Sequence, residues 1–173
     1  MTAGLRTLLA LVVLSGAPFA LGCPHPDAFD GHVFHDGRRS FRTGPIPASW
    51  ERLRLEGPLL AFHDGASHGS VDVYAQCGKD ALDTSLVALR TQLLIGFTER
   101  NLHDEKLVSL DRREALRTVV DAKLDGVPVT LDVFVLKKDG CVYDLVYVAS
   151  PGAFPSGVQA FESFVAGFEA LGG

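Results

Sequence analysis

The chain has 173 residues, enough for one domain with a sizeable core. With 47% hydrophobic and 21% charged residues it is too apolar for a disordered chain. A net charge of −5 gives no attraction to phosphate backbones, so nucleic acid is not an expected partner.

The first 22 residues read as a signal peptide. Arg6 is a short positive n-region, Leu8 to Leu14 an apolar h-region, and Ser15, Gly16 and Pro18 break the pattern. The apolar run is too short to span a bilayer as a helix. Ala20-Leu21-Gly22-Cys23 resembles a bacterial lipobox, with small Gly22 at the cleavage subsite. That resemblance implies a mature chain beginning at an acylated Cys23, with the membrane as a partner. Each buried methylene contributes about 0.8 kcal/mol, so two or three acyl chains anchor stably. The implied location is the bacterial cell envelope, facing the periplasm or on the outer membrane. Pro24, standing where Asp would favour inner-membrane retention in enteric bacteria, leans weakly to the outer membrane.

Residues 24–39 mix Pro, Gly, Asp and His without periodicity and read as a flexible tether. His25, His32 and His35, among Asp27, Asp30 and Asp36, have ligand chemistry, but their spacing matches no closed metal site. A solvated linker is the expectation, with no metal and no cofactor.

A single domain is expected over 40–173. Ser40 to Gly44 is a first strand, and Pro45 and Pro47 turn the chain toward Trp50. Trp50 to Leu55 alternates, Leu59 to Phe62 is a short strand, His63 to Gly69 a turn and Ser70 to Cys77 another strand. Leu82, Leu86, Leu89, Leu93 and Phe97 then repeat at helical spacing, with Asp80 or Asp83 as N-cap. Thr98 to Glu105 is polar and reads as loop, followed by a short strand over Lys106 to Leu110. Glu114–Leu124, Val127–Leu136 and Cys141–Ala149 are strands joined across Asp125-Gly126 and Asp139-Gly140, which suit type I′ hairpin turns. A last helix runs from Pro155 to Leu171.

Three cysteines leave Cys77 and Cys141 as a pair once Cys23 is set aside. In an oxidising compartment they would bridge two strands. Two separate thiols or a redox pair remain alternatives, although no Cys-x-x-Cys spacing favours redox work. Both faces of Cys141–Ala149 are largely apolar, so both must be covered. The expected fold is α+β: an antiparallel sheet of six to seven strands with helices on both faces.

This order of elements resembles the Mog1/PsbP-like fold, which also occurs in exported bacterial lipoproteins. The matching pieces are Pro47-Ala48-Ser49-Trp50, Gly69-Ser70-Val71-Asp72-Val73, Gly140 to Leu145 and Phe161-Glu162-Ser163-Phe164. The resemblance spans most of 40–171. It implies an accessory or binding subunit and brings no catalytic residues.

Residues with reactive chemistry are few. His63-Asp64, His68 and His103-Asp104, with Ser67 and Ser70, could form a general-base set, but no Gly-x-Ser-x-Gly elbow is present. Asp132 and Asp144 could pair as carboxylates, although solvent or a basic neighbour explains them more simply. Arg112, Arg113 and Arg117, and Lys137 and Lys138, read as solvated basic spots. The expected function is a membrane-anchored, non-enzymatic accessory lipoprotein that binds an envelope protein. The alternatives are a small-ligand or lipid-binding module, and a hydrolase using the loop histidines. The hydrolase requires His63, His68 and His103 to converge in one pocket.

Overall fold

The computed structural model describes residues 28–78 and 83–172. The signal peptide, Cys23, His25 and Asp80 lie outside the described residues. Among those described, no helix is long and apolar enough to cross a membrane.

The described chain forms eleven strands and two helices in an α+β fold. A seven-stranded antiparallel sheet has the order β4 (Trp50–Leu53), β5 (Leu60–Asp64), β6 (Gly69–Cys77), β10 (Cys141–Ala149), β9 (Val127–Lys138), β8 (Arg113–Leu124), β7 (Phe97–Leu110). Helix α1 (Leu86–Leu93) covers one face and helix α2 (Phe154–Ala166) the other. A four-stranded sheet shares the α2 side: β1 (Ala28–Phe29), β2 (Val33–His35), β3 (Ser40–Arg42) and β11 (Glu169–Ala170).

Strand β10 is central because both its faces are apolar. Tyr143, Leu145 and Tyr147 enter the α2-side core with Phe161, Phe164 and Phe168. Val142 and Val146 enter the α1-side core with Leu89, Val133 and Val135. Tyr147, Leu145, Phe161 and Phe164 are all 0% exposed. Burying each such side chain contributes about 1.5–3 kcal/mol, so these two layers dominate stability.

The tether expectation fails for its described part. Residues 28–35 form a hairpin, with Ala28 opposite His35, and Phe34 is buried and stacked on Phe41. Two apolar side chains, Phe29 and Phe34, overcome the polar composition. Asp30 accepts from the backbone N–H of His32 and Val33, and Asp36 from those of Arg38 and Arg39. The acidic residues that suggested a solvated linker therefore build tight turns. The folded domain begins by Ala28, not near Ser40.

Thr98–Glu105 is strand, not loop. Strand β7 runs from Phe97 to Leu110 against β8, with register breaks near Glu99 and His103. As the sheet's edge it is mostly exposed on both faces, so it lacks the apolar alternation that marks a half-buried strand. The turn into β8 uses Asp111 and Arg112, both at positive φ, as do Asp125-Gly126 and Asp139-Gly140 in the two hairpins expected from sequence.

Both helices are shorter than their periodicity suggests. Ser85, not Asp83, caps α1: its hydroxyl accepts from the Ala88 N–H. After Leu94 the chain turns at Gly96 (φ 97°), so Phe97 opens a strand. Helix α2 stops at Gly167, where close packing forbids a side chain: a Cβ would lie 2.4 Å from Gly44 Cα. Glu169 and Ala170 then pair with β3.

Cys77 and Cys141 are directly opposite in the β6–β10 ladder and form a disulfide, with Cα atoms 4.0 Å apart. The bridge closes a loop of 64 residues in sequence separation. Replacing both cysteines by serine should lower the unfolding free energy by about 4 kcal/mol in the chain-entropy model, measured by urea denaturation without reductant.

Candidate functional site

The reactive side chains do not converge. His63 lies on β5 and His103 on β7, five strand spacings apart, or about 24 Å. His63 and His68 are neighbours, with ring centroids 6.1 Å apart. Asp64 serves neither histidine: it is buried and accepts from the Ser67 hydroxyl at 2.6 Å and the Ala66 N–H at 2.9 Å. Ser67 in turn accepts from the Gly69 N–H. This network fixes the β5–β6 turn. Ser70 donates to Asp72.

His103 sits at a bulge and contacts Asp121, not Asp104, at 2.6 Å. Hydrogen bonds from Thr130 and then His103 hold the Asp121 carboxyl below its usual pKa. Asp104 instead pairs with Lys106. The His–Asp–Ser set expected for a hydrolase is therefore split between a structural turn and a strand edge. Among the described residues, no cluster of three His, Cys, Asp or Glu side chains is placed to hold a metal. His32 lies in the β1–β2 turn and His35 at the far end of β2.

Asp132 and Asp144 are on opposite faces of the sheet and do not pair. Asp132 is fully buried and receives two hydrogen bonds from Arg117, at 3.1 and 2.6 Å. Arg117 also bridges to Glu162 of α2. Burial pushes the Asp132 carboxyl up and Arg117 opposes this, while the carboxylates keep Arg117 charged. Arg117 is thus a strut between sheet and helix, not a solvated spot. Arg112 and Arg113 are exposed, while Lys138 reaches Asp111 at 3.3 Å.

The more distinctive feature lies on the α1 face. A hollow of about 240 Å³ separates the end of α1 from the sheet. Leu93 and Leu94 form its roof, and Phe97, Leu124, Leu131, Val146 and Val148 its floor. Ser70, Asp72 and Tyr74 line its polar side. The register places Asp72 opposite Val146 and Tyr74 opposite Asp144, so both carboxylates share this face. Burial pushes Asp144 up to about 6 and raises Asp72, whose Ser70 hydrogen bond opposes the shift. Burial, then the charges of Asp72 and Asp144, raise Tyr74. The Asp144 Oδ1 is buried and finds no hydrogen-bond partner.

Beyond the hollow the same face stays apolar and open. Leu124 is opposite both Phe97 and Val127, and Leu102 is opposite Val120. Leu124, Val127 and Leu102 are 42%, 61% and 48% exposed, and Ile95 in the α1–β7 turn is 76% exposed. The available sequence signal was the hairpin: Leu124 and Val127 flank its turn and so share a face. That they stay uncovered depends on α1 ending at Leu93.

No family model matches the chain, and no curated protein matches it. Solved structures share its fold. A crystal structure of LpqN, involved in cell envelope biogenesis of Mycobacterium tuberculosis, aligns at 14% identity and TM-score 0.59, covering 80% of this chain and 88% of that one. The solution structure of cyanobacterial PsbP (CyanoP) from Synechocystis aligns at 11% identity and TM-score 0.57, covering 90% and 98%. A Bacteroides thetaiotaomicron protein aligns at 16% identity and TM-score 0.53 over 75% of this chain, which spans only 44% of that longer protein. The class defined is therefore an α+β domain with the PsbP-like fold, as the resemblance implied.

Asp144 has a measurable pH signature. Its folded pKa of about 6 exceeds the ordinary 3.8, so between these values the folded protein holds a proton that the unfolded chain has lost. This contribution to stability is complete below the unfolded pKa and is lost as pH rises through 6. Asp144→Asn should exceed wild type by up to about 3 kcal/mol at pH 8 and match it near pH 3.5, measured by urea denaturation at both values.

Proposed function

We propose that this chain is a non-enzymatic binding module of the bacterial cell envelope, anchored through an acylated Cys23 and contacting an envelope protein with its α1 face. The observation that carries the reading is the uncovered apolar surface of Ile95, Leu102, Leu124 and Val127, continuous with the hollow beneath α1. A partner inserting an apolar side chain there would gain about 25 cal/mol per Å² removed from water. The dispersal of the histidines agrees with a binding role, as does the fold shared with LpqN and CyanoP. The anchor rests on the lipobox-like Ala20–Cys23, and the disulfide fits an oxidising compartment.

A second reading has its own support. The hollow is apolar with one acidic side, which suits a small ligand, although its volume is below the usual range of about 300–1,000 Å³. The protein partner is favoured because the exposed rim extends beyond the hollow.

The test is photocrosslinking in the native host, with the crosslinker placed at Val127 or, as a control, at the exposed Gln159 on α2. A defined envelope protein should be captured from Val127 only, and Leu124→Asp should reduce its yield at least fivefold without changing the melting temperature. Equal capture from both positions would refute the proposed face.

A further inference from the structure

The β1–β2 hairpin changes what an anchor at Cys23 would do to the domain. A tether of 16 residues would let the domain tumble, but only four residues lie between Cys23 and Ala28, the start of β1. Fully extended, the five Cα-to-Cα steps reach about 18 Å at most. Edge strands β4 and β7 are six strand spacings apart, about 29 Å. The leash is shorter than the sheet is wide.

The face beside the leash is defined. Strand β1 lies over the β4–β5 end of the large sheet on its α2 side: Phe29 meets Phe62 edge-on at 6.1 Å, and the Arg52 guanidinium sits 5.2 Å over the Phe29 ring. Arg52 and Arg54 stand between two shallow hollows, one reaching Ala28 and the other reaching Leu55. Arg54 is exposed, and Leu55 is 55% exposed. Leu55 is the outward apolar side chain beside the leash, suited to enter the lipid interface.

Building on the acylated Cys23 of the preceding section, we propose that β4 and the β1–β2 hairpin form a membrane-facing surface, with Leu55 turned to the bilayer. The α1 hollow then points away from the bilayer. The reverse pose fails on distance: with α1 on the membrane, a helix layer of about 10 Å and a sheet-to-sheet gap of about 10 Å lift Ala28 beyond the leash once side chains are counted.

The test uses the full lipidated chain, purified from its native host and reconstituted in vesicles of equal phosphatidylglycerol and phosphatidylcholine with a few per cent of headgroup-nitroxide lipid. A bimane fluorophore is attached through Leu55→Cys or Ile95→Cys, without reductant so that the disulfide stays closed. Quenching should be at least threefold greater at position 55 than at 95. Equal quenching, or more at 95, on protein whose intact mass shows the acyl chains overturns this orientation and leaves the anchor standing. An intact mass without acyl chains overturns the anchor and the orientation together.

Discussion

The structure depends on a strand with no polar face to offer solvent. β10 must be covered on both sides, and everything else follows from how that is done. β6 and β9 satisfy its backbone, with Cys141 locked opposite Cys77. α2 and the small sheet seal one face with aromatic rings, and α1 seals part of the other with leucine side chains. The difference in cover creates the candidate site. α2 spans 13 residues and α1 only eight, so the outer end of the α1 face stays open.

Buried polar groups in this domain mostly join layers. Tyr147 donates its hydroxyl hydrogen to the Phe154 carbonyl, tying β10 to the start of α2. Gly157 is required beside it, since a Cβ there would come within 2.3 Å of that hydroxyl oxygen. Arg117 joins β8, β9 and α2 through Asp132 and Glu162, and Asp111 accepts from the Ala170 N–H, holding the C-terminal strand against the β7–β8 turn. A buried ion pair of this kind is weak evidence for stability but leaves a costly bare charge if either partner is lost. Asp144 differs. It has no such partner, and it stands on the face that is incompletely covered.

These features give the domain two unlike sides. One bears aromatic packing and the hairpin closest to Cys23; the other bears the open apolar surface. The anchor proposed at Cys23 would convert that asymmetry into a direction, since a domain held so closely would present the same face outward. The shared fold with LpqN and CyanoP supplies the scaffold alone, so the surface chemistry is this chain's own.

The sequence by itself determined the elements whose signals are local: the two Asp-Gly hairpins, the two-faced strand Cys141–Ala149, the helical spacing through Leu86, Leu89 and Leu93, and a cysteine pairing among stated alternatives. Those signals survive because turn chemistry and side-chain periodicity act over a few residues. Only the tertiary structure decided the rest. The stretch 28–35 folds because Phe34 meets Phe41 and Phe29 meets Phe62, contacts that no local pattern announces. Thr98–Glu105 is a strand because β8 offers it a ladder, and Asp132 is buried because Arg117 reaches it from the next strand. The open face exists because α1 ends early, a fact about what fails to cover a surface, and coverage is settled only when distant segments meet.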